Sequence, residues 1–145
     1  MQDGTIRDET GTQRLLGYML DVGRGDGRAR CGIEIGPQHL NRQGILHGGI
    51  AASVLDSAMG TTASLSVDAS GRQPFTTLSL TVSFLAPGRP GGAVAEGRIT
   101  GGGRKTLFIE GVLTHEDGTI IARAQGVFKQ SATGPGSVGA PGQSS

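Results

Sequence analysis

The stretch HGGIAASVLDSAMGTTASLS, residues 47 to 66, decides the fold of this chain. Its apolar residues recur at positions 50, 51, 54, 55, 58, 59 and 63, which is the spacing of a helix. The stretch is rich in small residues and carries one formal charge, Asp56, in twenty residues. A helix with so little polar cover is poorly suited to a surface. We therefore predict one long buried helix with strands wrapped around it.

Strand patterns lie on both sides of this helix. In TTLSLTVSFLAP, residues 76–87, the apolar residues Leu78, Leu80, Val82 and Phe84 alternate with polar ones, which predicts a strand with one buried face. Three more strands are predicted near 93–100, 105–115 and 119–130, separated by a Gly-rich turn and an Asp-Gly hairpin turn. GYMLDVG and ARCGIEI predict another hairpin upstream, after a short helix near 10–16. The last four strands are expected to be antiparallel neighbours, which gives an α+β fold.

Length and composition bound the organisation of the chain. At 145 residues it fits a single domain with its own core, which we place at residues 1–130. Residues 131–145, SATGPGSVGAPGQSS, hold ten Gly, Ser and Pro in fifteen, too little apolar surface to offset the entropy of ordering them. We predict a disordered C-terminal tail.

Charge and cysteine content exclude several classes of function. With 13 Lys and Arg against 12 Asp and Glu, no large electrostatic field would recruit nucleic acid or an anionic membrane. Cys31 is the single cysteine, and no CxxC or Cys/His cluster indicates a metal, so neither a metal nor another cofactor is expected. The polar N-terminus lacks the apolar run of a signal peptide, and no later stretch approaches a membrane-spanning length. A cytoplasmic location is the resulting prediction.

Asp56 is the first residue that indicates chemistry. Burying a carboxylate without partners costs free energy, and a mid-helix position rules out an N-cap role. Two readings remain open from the sequence: Asp56 pairs with an Arg of a neighbouring strand or subunit, or it is a catalytic group.

The helix start, Gly44-Ile45-Leu46-His47-Gly48-Gly49, is the second candidate feature. The first amides of a helix have no internal partners, so they can bind an oxygen that gains negative charge. Gly-Gly before a helix is also common in simple turns, and His47 could equally bond to backbone. Asp56 lies eight residues beyond Gly48, about 12 Å along one helix. If both are catalytic, the site must be shared between two subunits.

The run Asn41-x5-His47-Gly48-Gly49-x6-Asp56-x-Ala58-x-Gly60, followed by a Thr/Ser-rich strand ending in Phe84-Leu85-Ala86-Pro87, resembles hotdog-fold thioesterases of the phenylacetate-degradation (PaaI-like) type. The resemblance covers roughly residues 10–130. It implies hydrolysis of an acyl-CoA thioester with an aromatic or medium-chain acyl group. It also implies a sheet wrapped around the long helix and dimers joined through a continuous sheet. Tetramers built as a dimer of dimers are often found in this type.

The resemblance also assigns roles to single residues. Asp56 corresponds to the catalytic carboxylate, acting as general base or as nucleophile, and Gly48 to the amide that polarises the thioester carbonyl. Asn41 corresponds to a side chain that binds or orients that group, and His47 shapes the helix entry. Thr77 corresponds to a Ser or Thr that positions water. Simple alternation places Thr77 on the face opposite Leu78, so it reaches the site only if the strand bulges or a dimer brings that face round.

Substrate binding adds three further candidates. Gly49 is counted with Gly48 at the helix start. Arg104 and Lys105, just after the 101–103 turn, are candidates for the coenzyme A phosphates, although they could equally be solvated turn charges. GGGRK does not form a phosphate loop of the P-loop type, because no helix follows it.

Three rival interpretations are weaker. A hotdog dehydratase or hydratase would use a His with an Asp or Glu in other sequence contexts. A non-catalytic acyl-CoA-binding protein would lose the carboxylate or gain a DNA-binding segment, and this chain keeps Asp56. A scaffold without chemistry would leave Asp56 and the Asn41-to-Gly49 spacing unexplained.

Overall fold

A computed structural model describes residues 4–132 as one seven-stranded antiparallel sheet packed on one long helix. The elements, in chain order, are β1 (Thr5–Ile6), α1 (Gly11–Leu16), β2 (Met19–Asp21), β3 (Arg30–Ile35), α2 (Gly48–Leu65), β4 (Phe75–Phe84), β5 (Gly91–Gly102), β6 (Thr106–His115) and β7 (Ile120–Gln130). A single 3-10 turn, Pro37–His39, precedes α2. The predicted α+β class, the long helix and each predicted strand are confirmed; only the two-residue β1 and the 3-10 turn were not anticipated.

The strand order differs from a simple meander. The sheet runs β1-β2-β3-β5-β6-β7-β4, so β5, β6 and β7 are consecutive neighbours while β4 pairs with β7 at one edge. The prediction that the last four strands are antiparallel neighbours is confirmed, but β4 pairs with β7 and not with β5, the strand that follows it in the chain. The reason is the 85–90 loop, which carries the chain away from the edge and past the start of α2, where the Leu46 N–H donates to the Gly88 carbonyl over 2.7 Å.

Helix α2 packs on the sheet with one face. It contacts β3, β4, β5, β6 and β7, and its buried residues repeat at helical spacing: Ala51, Val54, Leu55, Ala58, Met59, Thr62, Ala63 and Ser64. Its other face, which includes Asp56, is only half-buried in the single chain. The prediction of a fully buried helix is thus wrong for that face, because small and polar side chains line it.

The edge strand β4 contains a bulge. Its pairing with β7 shifts between Thr77, opposite Phe128, and Ser79, opposite Val127, which leaves Leu78 as the extra residue. Leu80 and Val82 pack against the core as predicted, but Leu78 and Phe84 are 55% and 58% exposed. The predicted buried face is therefore wrong at these two positions. The bulge turns Leu78 outward, and Phe84 lies at the end of the strand.

Two sequence predictions concern the C-terminal tail and membrane-spanning segments. The predicted disordered tail lies outside the described residues from position 133 onward. Within residues 4–132, no helix combines the length and the hydropathy needed to cross a bilayer.

Candidate active site

Asp56 and Thr77 meet on the half-buried face of α2. The Thr77 hydroxyl donates to the Asp56 Oδ1 over 2.6 Å, a short charge-assisted hydrogen bond. No Arg or Lys in residues 4–132 forms an ion pair with Asp56. Of the two readings left open by the sequence, the arginine partner is therefore absent from the described part of this chain.

The bulge in β4 explains how Thr77 reaches the carboxylate. Directly paired residues on neighbouring strands point to the same face of a sheet. Thr77 is paired with Phe128, which is fully buried against α2, so Thr77 also faces the helix. Leu80 lies three positions beyond Thr77 and also faces the helix. Strict alternation would place residues three positions apart on opposite faces of the sheet, but the extra residue in the bulge puts both on the same face.

The start of α2 presents a free backbone amide. His47 is the N-cap residue, and its Nδ1 accepts the Gly49 N–H over 2.8 Å. The next two amides, of Ile50 and Ala51, donate to the His47 carbonyl. Within residues 4–132 the Gly48 N–H has no recorded acceptor, at the positive end of the helix dipole. The candidate oxyanion donor is therefore Gly48 alone, because the Gly49 amide is used by His47.

The loop before α2 is held by side chains. Asn41 Oδ1 accepts the backbone N–H groups of Gln43 (2.9 Å) and Ile45 (3.3 Å). His39 is buried, its Nδ1 accepting the Gly36 N–H and its Nε2 donating to the Leu16 carbonyl. These bonds fix the approach to Gly48 and leave the Asn41 amide nitrogen, rather than its oxygen, for any ligand.

Phe84 covers the Gly48 position. A Cβ built on Gly48 would lie 3.3 Å from the Phe84 Cζ, which is tighter than nine in ten real contacts. Any larger residue would therefore push against the ring. Asn41, Gly48, Phe84 and Leu85 line one cavity of about 370 Å³. The sequence predicts Phe84 in the core, and its place as the last residue of β4 gives no sequence signal for this contact with Gly48.

Asp56 and Thr77 line a different cavity, of about 570 Å³, which Asn41 and Gly48 do not border. The chain thus brings Asp56 and Thr77 together and, separately, Asn41, Gly48 and His47. The two groups are separated along α2 by the eight residues from Gly48 to Asp56. In one copy of the chain they cannot act on the same carbonyl.

Basic side chains line a third candidate binding location, apart from the two cavities. Arg104 and Lys105 are exposed at the turn between β5 and β6 and line an open groove of about 1270 Å³ together with Lys129. Thr76, the neighbour of Thr77, borders the same groove. Thr76 and Thr77 are adjacent in β4 but point to opposite faces, and the groove shares no lining residue with the Asp56 cavity. Lys129 was missed from the sequence, because only the pairing of β7 with β4 and β6 brings it there.

Metal and thiol chemistry find no support in residues 4–132. No group of three or more His, Cys, Asp or Glu is placed there to hold a metal ion. Cys31 is fully buried, and burial raises the pKa of its thiol far above the usual range, so it stays protonated and unreactive.

Comparison with known proteins places this chain in a family. The sequence profile of the thioesterase superfamily matches residues 43–122, which include Gly48, Asp56 and Thr77. Because the match covers more than half of the 145 residues, the chain belongs to the thioesterase superfamily. No curated protein sequence matches it significantly.

Solved structures show the same fold. The PaaI protein of the phenylacetic acid degradation operon of E. coli superposes with a TM-score of 0.76 at 20% identity, covering 87% of this chain and 88% of its own. A Bacillus halodurans protein, BH2602, solved with CoA, gives 0.77 at 27% identity, covering 88% and 83%. The conserved protein PA5202 of Pseudomonas aeruginosa gives 0.75 at 28% identity, covering 84% and 94%. The predicted hotdog fold is confirmed.

Proposed function

We propose that this protein is an acyl-CoA thioesterase that hydrolyses a thioester to the free acid and coenzyme A. The observation that carries the proposal is the pair of complementary half-sites on α2. A carboxylate held by a hydroxyl donor can supply a base or a nucleophile, and an unpaired helix N-terminal amide can stabilise an oxyanion. Thioesterase membership and the CoA bound by the Bacillus halodurans relative support the substrate class.

In this mechanism the Gly48 N–H donates to the thioester carbonyl oxygen as it gains negative charge. The Asn41 amide nitrogen helps to orient that group, and His47 fixes the helix start that aims the Gly48 amide. Asp56 either removes a proton from water as it attacks the carbonyl carbon or attacks that carbon itself. The Thr77 hydroxyl holds Asp56 Oδ1 in place, so the other carboxylate oxygen is free for the reaction.

The site is proposed to form between two copies of the chain. Strand β4 is a ten-residue sheet edge whose outer side is unpaired in residues 4–132, and it carries the exposed Leu78 and Phe84. Such an edge readily pairs with another strand. Pairing β4 with β4 would extend the sheet across a two-fold axis, and we propose that it brings Gly48 of one copy to Asp56 of the other. A tetramer of two such dimers remains an expectation from the resemblance.

Arg104 and Lys105 are proposed to bind the phosphates of coenzyme A, assisted by Lys129 in the same groove. Loss of one exposed cation should weaken binding without changing the chemical step. We expect Lys105→Ala to raise KM for an acyl-CoA severalfold at unchanged kcat. Equal KM for wild type and variant would remove Lys105 from the site.

Release of free coenzyme A tests the proposal directly. Wild type and Asp56→Asn are compared on phenylacetyl-CoA, hydroxybenzoyl-CoA and straight-chain acyl-CoAs, with acyl-CoA binding measured for both proteins. We expect kcat to fall by about 10²- to 10⁴-fold in Asp56→Asn while binding persists. Turnover that survives the substitution would remove Asp56 as the catalyst. Binding without turnover in wild type would favour a non-catalytic acyl-CoA-binding protein.

A further inference from the structure

Phe84, the last residue of β4, covers the start of α2 with its ring. It is paired with Ala122 of β7, which is fully buried, so the ring points to the helix side of the sheet. Its Cζ and Cε1 lie 3.3 and 3.4 Å from the point where a Cβ on Gly48 would stand. The residue is nevertheless 58% exposed. One edge of the ring therefore covers Gly48, and the rest is open to a ligand or to another copy of the chain.

The two half-sites on α2 contact β4 near its opposite ends. Near the start of the strand the Thr77 hydroxyl donates to Asp56 over 2.6 Å, and at its last residue Phe84 meets Gly48. If Gly48 of one copy acts with Asp56 of another, as proposed above, these two strand positions must also meet. Phe84 of one copy then stands opposite Thr77 of the other.

The directions of the β4 side chains limit where a two-fold axis can cross the strand. Directly paired residues on neighbouring strands point to the same face of a sheet. Leu80 and Val82 pack against the core on the helix side, whereas Thr81 between them is exposed on the other side. An axis between two residues would pair a helix-facing residue with an outward one, so the axis must pass through a residue.

Thr81 is the position of the axis that brings the half-sites together. With the axis there, Phe84 of one copy falls opposite the bulge at Leu78 of the other. Because Leu78 is the extra residue of the bulge, Thr77 takes the helix-facing position beside the ring. An axis through either neighbouring residue would slide Phe84 away from this point by about two residues.

We propose that Phe84 is a positioning residue of the shared site, lying between Gly48 of its own chain and Thr77 of the second copy. There the ring forms a wall that confines the thioester carbonyl between the Gly48 amide and the Asp56 carboxylate. The ring also keeps water from the Gly48 N–H, and a hydrogen-bond donor stabilises an oxyanion more where water is excluded. The inference rests on the proposed thioesterase function and adds a residue to which that function gave no role.

Removal of the ring tests its effect on the reaction. We expect Phe84→Ala to lower kcat for the best acyl-CoA substrate about 10- to 100-fold, because a misplacement of roughly 1 Å in a reacting group costs up to about 100-fold. Phe84→Leu keeps an apolar side chain over Gly48 and should recover most of that loss. Phe108→Ala is the matched control: this aromatic residue is 48% exposed and lies between two buried residues of β6, so it points away from the helix.

Two further measurements separate positioning from a purely structural role. Sedimentation velocity reports whether Phe84→Ala is a dimer at the assay concentration, and KM reports whether it still binds substrate. We expect a dimer whose KM stays within a few-fold of wild type while kcat falls. Wild-type kcat in dimeric Phe84→Ala would overturn the proposal. So would a kcat that returns to the wild-type value at higher protein concentration, since the ring would then only hold the dimer together.

Disulfide linkage tests the placement of Phe84 without any catalysis. Thr81→Cys lies on the axis, so two copies should link under mild oxidation, whereas Ser83→Cys should not link to itself because Ser79 opposes it. Cys31 is fully buried and contributes no linkage of its own. Linkage through Ser83→Cys instead, or through neither variant, would place Phe84 elsewhere and overturn the proposal. If wild type releases no coenzyme A from any substrate, the thioesterase function fails, and the linkage pattern still decides where Phe84 lies.

Discussion

The two faces of α2 are built from different kinds of residue and meet different surroundings. The face against the sheet is close-packed: a Cβ on Gly97 of β5 would lie 2.5 Å from Thr62 Oγ1, and one on Gly111 of β6 would lie 2.7 Å from Met59 Sδ. The opposite face borders a cavity of about 570 Å³ and carries Asp56 and a set of hydroxyls. One helix thus has a face with no spare volume and a face with room for a ligand.

This difference predicts that stability and activity are separable along one helix. Substitutions on the sheet-facing side should change the free energy of unfolding, because packed interiors tolerate little volume change. Substitutions on the open side should change turnover, because they alter groups that can touch a ligand. The start of α2 is a third case: under the proposed shared site, Gly48 acts together with the carboxylate of another copy of the chain.

The largest expected effect comes from combining two inactive variants in one dimer. Asp56→Asn removes the carboxylate, and Gly48→Val places a side chain against Phe84 and blocks the approach to the amide. Each variant alone should be nearly inactive. A mixed dimer, isolated with two different affinity tags, has one site that contains both mutations and one that contains neither.

Such a mixed dimer should regain about half of the wild-type kcat, because one of its two sites is intact. A mixture of the separately purified variants, measured before subunits exchange, serves as the control. If the isolated mixed dimer stays inactive, both half-sites belong to one chain and the shared site is wrong. A stable and active monomer would lead to the same conclusion.

The next effect concerns the hydrogen bond that holds the carboxylate. Thr77→Val keeps the shape of the side chain and removes the donor to Asp56. A hydrogen bond to a charged group contributes about 1.5–3 kcal/mol, so kcat/KM should fall about 10- to 150-fold. Thr77→Ser retains the hydroxyl and should stay within a few-fold of wild type. Wild-type kcat/KM in Thr77→Val would show that the hydrogen bond to Asp56 is not needed.

Much of the fold could be predicted because its signals are local. The helical spacing in residues 47–66 and the Asp117-Gly118 turn each depend on a few neighbouring residues, and the structure places α2 and the β6–β7 hairpin there. The edge position of β4 could not be predicted, since the choice between β5 and β7 as its partner depends on the path of the 85–90 loop. The bulge at Leu78 has no clear sequence signal either.

The residues of the candidate site also divide into those that the sequence indicates and those that it does not. Asp56 was conspicuous because a single charge stood in an uncharged helix, and Gly48 because a glycine opened that helix. Thr77 could be named only through the family resemblance, and its contact with Asp56 depends on the bulge.

On the packed face, Gly97→Ala should lower stability without changing kcat. The new methyl group would meet Thr62 Oγ1 at 2.5 Å and the Ala58 carbonyl at 2.9 Å. Thr62 cannot move aside freely, because its hydroxyl donates to the Ala58 carbonyl and accepts the Ala29 N–H. We expect a loss of about 1–3 kcal/mol, measured by thermal or denaturant unfolding.

Gly101→Ala is the control for this substitution in the same strand. Its Cβ would meet Phe108 at 3.5 Å, an ordinary contact, so stability should change little. Equal stability of the Gly97 and Gly101 variants would show that the helix and sheet can separate at small cost. A large fall in kcat for folded Gly97→Ala would contradict the separation of the two faces.

The smallest expected effect lies at the rim of the open face. Arg72 binds both carboxylate oxygens of Glu9, at 3.0 and 2.5 Å, and so ties the 68–74 loop to the N-terminal segment. This hydrogen-bonded pair lowers the pKa of Glu9 below its usual value of 4.5. Both side chains are well exposed, at 38% and 41%, so solvent screening limits the pair to about 0–1 kcal/mol.

The sign of the pH dependence follows from the lowered pKa. A depressed carboxyl pKa stabilises the folded state above the unfolded pKa, and that stabilisation is lost as the pH falls through the folded pKa. Wild type should therefore have a slightly higher Tm than Glu9→Gln above pH 4.5, by roughly 2–4 °C at most, and the gap should close below it. Glu110→Gln, which breaks the exposed pair with Arg98 on the sheet, is the matched control.

If Glu9→Gln matches wild-type Tm at neutral pH but lowers kcat, the pair acts on the open face and not on stability. A gap that widens in acid would contradict the hydrogen-bonded pair itself.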